Sequence, residues 1–256
     1  MLIKAIRSLF SLFVVSVVLS ACGGGGDSTG AGEATIGPKG GIWRGTDSNG
    51  SQYIGIVTET GKFHFISTGD GTQYYGTLAA ASGSTYISNF QGVTRNGYVF
   101  LDGSNTGTGT YTGTINSRVS MNGSSIFTTS KGNSTNSTLN FTYNSIYDIP
   151  SSLSRISGNY QDVGGVVNIS GGQIFEQNTS TGCFINGTVA IINASYNAYD
   201  VQYTFSGCFG SYAYLNGTTS TGVAMIDTSV SPERAYIAVV NYSARYSLIQ
   251  SFPRIN

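Results

Sequence analysis

The stretch Val201-Gln202-Tyr203-Thr204-Phe205 alternates apolar and polar side chains along five consecutive residues. A period of two is the pattern of a β-strand that buries one face. The same pattern recurs at Phe63-His64-Phe65, and short apolar runs of strand length lie at residues 187–192, 223–226 and 235–240. These runs contain β-branched and aromatic residues, which favour strands. The sequence therefore predicts many short strands.

Asn-Gly pairs separate several of these runs and are typical of tight turns, because both residues tolerate a positive φ. The pairs are Asn49-Gly50, Asn96-Gly97, Asn122-Gly123, Asn186-Gly187 and Asn216-Gly217. The Asn186-Gly187 pair fits either a turn or a bulge inside a strand. No segment has a sustained helical stripe with caps, so we predict an all-β, antiparallel fold.

Two halves of the chain resemble each other. Residues 61–78 align without gaps on residues 172–189, with five identities. This predicts tandem units at residues 41–149 and 150–256, unless glycine- and threonine-rich strands align by chance. Six to eight strands in each unit suit a small antiparallel barrel or a sandwich. An eight-stranded barrel has an interior wide enough for side chains or for one small ligand.

The N-terminus has the features of an export signal. Lys4 and Arg7 precede an apolar run at residues 9–19, and small residues then lead to Cys22. The run is shorter than the ~20 residues that a membrane-spanning helix needs. We predict a signal peptide at residues 1–21 and a glycine-rich tether at 22–40. The alternatives are an ordinary exported protein cut by the general signal peptidase, or a short membrane span.

Leu19-Ser20-Ala21-Cys22 resembles the lipobox of Gram-negative bacterial lipoproteins. The resemblance implies that Cys22 is acylated, for example with palmitate, and becomes the mature N-terminus. Membrane lipid would then be a partner through Cys22, since two acyl chains give stable anchoring. Gly23 after the cysteine favours the outer membrane by the same resemblance, on either its periplasmic or its surface face. The second half contains Gly182-Cys183 and, after a predicted strand, Ser206-Gly207-Cys208, and this pattern resembles uncharacterised β-rich Gram-negative lipoproteins.

Gly41-Ile42-Trp43 places the chain's one tryptophan where a first strand should begin. This start resembles the lipocalin family, and the equivalent position in the second half is Tyr160. The resemblance implies an up-and-down barrel in each half that binds a small apolar molecule.

Cys183 and Cys208 remain as a pair once Cys22 is assigned to lipid. In an oxidising compartment a disulfide is the default for such a pair. A metal site is the alternative, but it needs further ligands, and the single histidine, His64, is distant in sequence. We predict the disulfide, worth about 3–4 kcal/mol by the chain-entropy argument.

Charge is sparse, at 9% of the residues, with 12 basic and 12 acidic side chains in the whole chain. Removing residues 1–21 takes away Lys4 and Arg7, which leaves 10 basic and 12 acidic side chains in the mature protein. Because the chain has no basic stripe, we do not expect a nucleic-acid partner. Tyrosines around 74–75 and 196–214 are expected either to form a contact surface or to lie in the barrel cores.

The sequence predicts no catalytic constellation, metal site or cofactor. Gly26-Asp27-Ser28-Thr29-Gly30 matches a nucleophile-elbow pattern, but it lies in the tether rather than between a strand and a helix. His64 is expected to face solvent, opposite Phe63 and Phe65. We therefore predict a non-enzymatic, lipid-anchored binding or structural module of the cell envelope, with no assigned ligand-binding residues. Its partner would be an envelope protein, a glycan or a small apolar ligand. The alternative is a lipocalin-like carrier of a hydrophobic ligand, and a hydrolase of envelope polymer is less favoured.

Overall fold

The computed structural model describes residues 39–255. The predicted signal peptide, the lipidation site Cys22 and nearly all of the predicted tether lie outside this range. Within it, the all-β prediction is confirmed, and the barrel rather than the sandwich is the observed form. The chain forms two closed, eight-stranded antiparallel barrels in tandem.

The first barrel closes through an antiparallel pairing between β4 and β6, while β5 continues the sheet beside β6. The eight strands of the closed barrel are β1 Gly41–Asp47, β2 Gln52–Val57, β3 Lys62–Ser67, β4 Gln73–Thr77, β6 Thr85–Val93, β7 Thr106–Asn116, β8 Ser120–Thr129 and β9 Ser134–Asn144, and the short strand outside the ring is β5 Ala79–Ser82.

The second barrel is a simple meander in which each strand pairs with the next and the last pairs with the first. Its strands are β10 Gly158–Gln161, β11 Val166–Ser170, β12 Gln173–Gln177, β13 Phe184–Ile191, β14 Tyr199–Ser206, β15 Thr219–Asp227, β16 Arg234–Asn241 and β17 Tyr246–Ile255.

Helix is confined to short connecting segments. A 3-10 turn at Ser145–Asp148 and the helix α1, Leu153–Ile156, link the two barrels, and a second 3-10 turn, Gly210–Leu215, connects β14 to β15. Among residues 39–255, no helix is long and apolar enough to cross a membrane.

The alternation in β14 is confirmed. Tyr199, Val201, Tyr203 and Phe205 are each at most 3% exposed and point into the second barrel, while the residues between them are exposed. They pack with apolar side chains of the other strands in one core. Burying one face of every strand in this way closes the sheet on itself.

The turn prediction is correct at three of the five Asn-Gly pairs. Gly50, Gly97 and Gly217 have φ of +86°, +85° and +77° in turns. It is wrong at Gly123 and Gly187, which lie inside β8 and β13. The alternative for Asn186-Gly187 places the pair inside a strand, as observed, but the pairing there is regular and has no bulge. A Cβ on Gly123 would lie 2.6 Å from the ring of Tyr111, and one on Gly187 would lie 2.9 Å from that of Tyr203. These glycines make room for an aromatic ring inside the barrel.

The aligned stretches occupy the same place in each barrel. Residues 61–78 contain β3 and β4, and residues 172–189 contain β12 and most of β13; these are the third and fourth strands of their barrels. Gly61 and Gly172 share a positive φ, +86° and +84°, at the turn that precedes the third strand. The sequence likeness therefore reflects equivalent structure.

The two barrels belong to one compact unit and pack side by side through outward-facing side chains. Ile42 and Ile56 of the first barrel and Val223 and Met225 of the second are at most 1% exposed in a shared apolar cluster. An ion pair of 2.7 Å between Lys62 and Asp200 crosses the same contact. Each barrel covers one flank of the other. The outward-facing side chains on that flank are therefore as buried as the side chains inside the barrels.

Candidate ligand-binding site

The first barrel encloses a cavity of about 310 Å³. The turns β1–β2, β3–β4, β6–β7 and β8–β9 all lie at one end, since consecutive antiparallel strands alternate in direction. We call this end the mouth. Asn49, Asn133 and Leu101, which come from these connections and are exposed to solvent, line the cavity and open it to the surface.

The walls of the cavity are aromatic. Phe65 lies 4.9 Å from Phe141, and Tyr74 lies 5.3 Å from Phe127, measured between ring centroids. Nine aromatic residues line the cavity: Tyr53, Phe63, Phe65, Tyr74, Phe90, Phe100, Tyr111, Phe127 and Phe141.

Inward-facing glycines on neighbouring strands leave space for these rings. A Cβ on Gly55 would lie 2.1 Å from the ring of Phe65, and one on Gly109 would lie 2.4 Å from the ring of Phe90. The rings therefore lie against bare backbone of neighbouring strands. This arrangement leaves the middle of the barrel free, because each ring occupies the volume that a neighbouring side chain would otherwise fill.

The end opposite the mouth is closed by packed side chains. Trp43 and Val57 are fully buried there, together with Leu78 and Ile115. Trp43 meets Tyr143 edge to face at 5.5 Å between ring centroids. The tryptophan picked out in the sequence thus forms the floor of the first barrel, and Tyr160, its counterpart, is fully buried in the second.

Asp47 is a buried polar group at the mouth, 9% exposed. Its Oδ1 accepts hydrogen bonds from the backbone N–H groups of Asn49 and Ser51, each at 2.9 Å, and its Oδ2 accepts one from the Tyr53 hydroxyl at 3.0 Å. These donors hold the carboxylate in one orientation. Burial and the nearby Asp47 charge raise the pKa of Tyr53, so its phenol stays protonated and donates.

Asp102 lies at the rim, in the long connection between β6 and β7. Its carboxylate accepts hydrogen bonds from Ser104 and from the Thr129 hydroxyl, and these bonds lower the pKa of Asp102 to about 2. Phe100 of the same connection lies 5.1 Å from Phe127, between ring centroids. The connection is therefore anchored over the mouth by both a polar and an aromatic contact.

The equivalent space in the second barrel is occupied differently. In the repeat alignment Glu176 replaces Phe65, and it is fully buried with Tyr203 and Ser220 beside apolar side chains. One buried oxygen of each of these three residues has no hydrogen-bond partner within residues 39–255. Burial raises the pKa of Glu176, with Asp162 adding to the effect.

The corresponding end of the second barrel carries the two cysteines. The Sγ atoms of Cys183 and Cys208 lie 2.06 Å apart, at disulfide distance. They tie the β12–β13 turn to the β14–β15 connection, whose Leu215 is 1% exposed in the core. In the first barrel Thr72 stands in the place of Cys183, so the cavity end has no such bond.

A second cavity, of about 300 Å³, lies between the barrels. Ile56 and Ile66 of the first barrel and Met225 and Tyr236 of the second are among its walls. This cavity is an alternative ligand-binding site to the cavity of the first barrel, although fewer aromatic rings line it.

The expectation that His64 faces solvent is wrong. His64 does point away from Phe63 and Phe65, as the alternation predicts, but it is 2% exposed because the second barrel covers that side. Its ring stacks on Tyr75 at 5.6 Å, and burial lowers its pKa to about 4.

The expected tyrosine contact surface is also wrong for most of its members. Tyr199 and Tyr203 are fully buried, and Tyr74 lines the cavity, so these follow the core alternative. Tyr214 is the exposed exception, at 47%. The buried tyrosines lie on the inward faces of their strands.

Sequence reasoning assigned no ligand-binding residue, and the lining residues described above are therefore new. A usable signal was present in β7, where Gly107, Gly109, Tyr111 and Gly113 occupy alternate positions. Small and aromatic residues alternating on an inward face leave space inside a barrel. Within residues 39–255, no group of three or more His, Cys, Asp or Glu side chains is placed to hold a metal ion.

Comparison with protein families, with characterised proteins and with solved structures finds no match to this chain.

Proposed function

We propose that this protein is a lipid-anchored cell-envelope protein whose first barrel binds a small, largely apolar molecule without catalysis. The single observation that carries the proposal is the aromatic cavity of about 310 Å³ that opens at the mouth. Ligand pockets of ~300–1,000 Å³ lined by apolar and aromatic side chains are typical of small-molecule sites. The cavity is at the lower end of that range, so the ligand is small.

The second barrel has a supporting role in this proposal. Its interior holds a packed core of apolar side chains, and the paired cysteines tie down its end. It also covers one flank of the first barrel. A rigid neighbour of this kind keeps the cavity walls in place, which lowers the conformational cost of binding.

The anchoring part of the proposal rests on Leu19-Ser20-Ala21-Cys22. Acylated Cys22 would hold the protein at the outer membrane, and residues 23–40 would tether the barrels. Fractionation tests this directly: the wild type should sediment with membranes, and Cys22→Ser should not. Protease treatment of intact and lysed cells then distinguishes the surface face from the periplasmic face.

The ligand-binding part is tested with the neutral dye N-phenyl-1-naphthylamine, whose fluorescence rises in an apolar site. The non-acylated Cys22→Ser protein allows the titration without detergent. Ser125 lines the cavity, so Ser125→Trp should fill it and abolish saturable dye binding. Ser124 lies on the outer face of the same strand and is exposed, so Ser124→Trp is the matched control and should bind as the parent does. Equal binding by the two variants would contradict the proposal.

A further inference from the structure

We infer that the ligand of the first barrel is an amphipathic cation, whose apolar body lies among the aromatic walls and whose amine lies at the mouth beside Asp47 and Asp102. The inference rests on the proposed function and deepens it by naming a ligand class.

The charges that line the cavity are of one sign. Asp47 and Asp102 are both in its wall, and among the described residues that line it there is no lysine, arginine or histidine. A buried anion is costly unless a cation or several donors compensate it. The carboxylate of a fatty acid would lie close to Asp47 and Asp102 at this mouth, without a cationic side chain among the described lining residues to pair with it. Binding of such an anion is therefore disfavoured.

Asp47 is a preorganised acceptor for a cation. It is 9% exposed, and three hydrogen bonds fix its two oxygens. A carboxylate offers about four lone-pair sites, so acceptor capacity remains for an ammonium group. Among the described residues no basic side chain lies within ion-pair distance of Asp47. The carboxylate of Asp47 is therefore held by hydrogen-bond donors and not by a cation.

Two cations stand near the mouth but outside the cavity wall. Lys131 donates from Nζ to the backbone oxygen of Asp102 at 2.7 Å, and the Arg95 guanidinium lies 5.4 Å from the ring centroid of Tyr98. Asp70, in the β3–β4 turn, is a third carboxylate near the mouth: burial raises the pKa of Tyr74, and the Asp70 charge adds to the effect. Of these charged groups at the mouth, only Asp47 and Asp102 are among the residues that line the cavity.

The rings below Asp47 suit a cation as well. Tyr53 lies 6.1 Å from Tyr74 and 6.1 Å from Phe141, between ring centroids. Aromatic faces attract ammonium groups through their quadrupole, and this attraction strengthens when the group is desolvated. The hydroxyl of Tyr74 has no hydrogen-bond partner among the described residues and is free to contact the ligand's polar end.

The test compares three ligands with one apolar body: 1-naphthylmethylamine, 1-naphthylmethanol and 1-naphthylacetic acid. Each competes with the neutral dye for the Cys22→Ser protein at pH 7.5. We expect the amine to displace the dye at a concentration at least tenfold lower than the acid, with the alcohol between them. Asp47→Asn and Asp102→Asn should each reduce the difference between the concentrations of amine and acid that displace the dye. High salt should reduce this difference as well. Asp148→Asn, the same charge change outside the cavity wall, should leave it unchanged.

The outcomes separate this inference from the proposed function. If the acid binds as well as the amine, or if neither aspartate variant changes this difference, the inference is overturned while dye binding in the cavity stands. If neither the dye nor any of the three ligands binds, the proposed function itself fails.

Discussion

Nδ1 of His64 lies 3.3 Å from Oε1 of Gln73 in a buried contact between the two barrels. The Gln73 amide nitrogen faces three oxygens of the second barrel, the carbonyls of Val239 and Leu248 and the hydroxyl of Ser247, at 2.9–3.0 Å. These acceptors fix the orientation of the amide, so its oxygen must face His64. Nδ1 therefore carries the proton and donates, and the neutral imidazole is the form that fits.

Stability should fall on acidification because of His64. Burial lowers its pKa to about 4, against 6.5 in the unfolded chain. Between these values the unfolded chain takes up a proton that the folded protein does not, so the free energy of unfolding falls as pH drops, by up to about 3 kcal/mol at pH 4. His64→Gln keeps a donor to Gln73 and should remove this component in urea unfolding at pH 7 and 5. The same pH slope in both proteins would contradict the assignment.

The effect of Glu176 on stability should be opposite to that of His64: its contribution to the free energy of unfolding should rise as pH falls. Burial raises its pKa above the ordinary 4.5, so the folded protein binds this proton at a pH where the unfolded chain has lost it. Its contribution to stability therefore increases as pH falls towards 4.5. We expect Glu176→Gln to stabilise the protein by about 1–2 kcal/mol at pH 8 and to lose most of this advantage at pH 5. Urea unfolding in a His64→Gln background isolates the effect, and destabilisation at pH 8 would refute it.

The disulfide should stabilise the second barrel through the denatured state. The bond joins residues 25 apart, for which chain entropy gives about 3–4 kcal/mol. The double variant Cys183→Ser/Cys208→Ser should lose that amount in urea unfolding. Dithiothreitol should lower the wild-type midpoint to that of the variant and leave the variant unchanged. A wild-type midpoint that is insensitive to reductant would count against the bond's contribution.

A single methyl group should disturb the cavity wall. At Gly55 the added Cβ would lie 2.1 Å from the Phe65 ring, so Gly55→Ala must push that ring towards the cavity. We expect a loss of about 1–3 kcal/mol in stability and weaker dye binding. Gly69→Ala is the matched control, because nothing lies within 4 Å of a Cβ there. If the two variants had equal stability and equal dye affinity, the Phe65 ring would move without cost and the prediction would be contradicted.

The strands were predictable because their signal is local. Alternation in residues such as Val201, Tyr203 and Phe205 is set by the two-residue period of the backbone, whatever the partner strand is. The equivalence of Gly61 and Gly172 was also readable, since a turn needs the same conformation in both copies.

What failed depends on contacts between residues distant in sequence. The sequence alone predicts a turn at Gly123, because nothing in it shows that the ring of Tyr111, on the neighbouring strand β7, lies against this glycine. His64 is read as exposed unless the second barrel is known to cover that flank. The cavity itself depends on how nine rings from seven strands and one connection share one interior, which no single segment reveals.

The most direct test of the central claim, that a small molecule binds inside the first barrel, uses the chain's own methionines. The chain has three, Met1 in the predicted signal peptide, Met121 in the cavity wall and Met225 in the wall of the second cavity. In the mature Cys22→Ser protein labelled with [¹³C-methyl]methionine, NMR titration with N-phenyl-1-naphthylamine should shift the Met121 signal saturably and leave Met225 in place. A shift of Met225 alone, or of neither signal, would contradict the account.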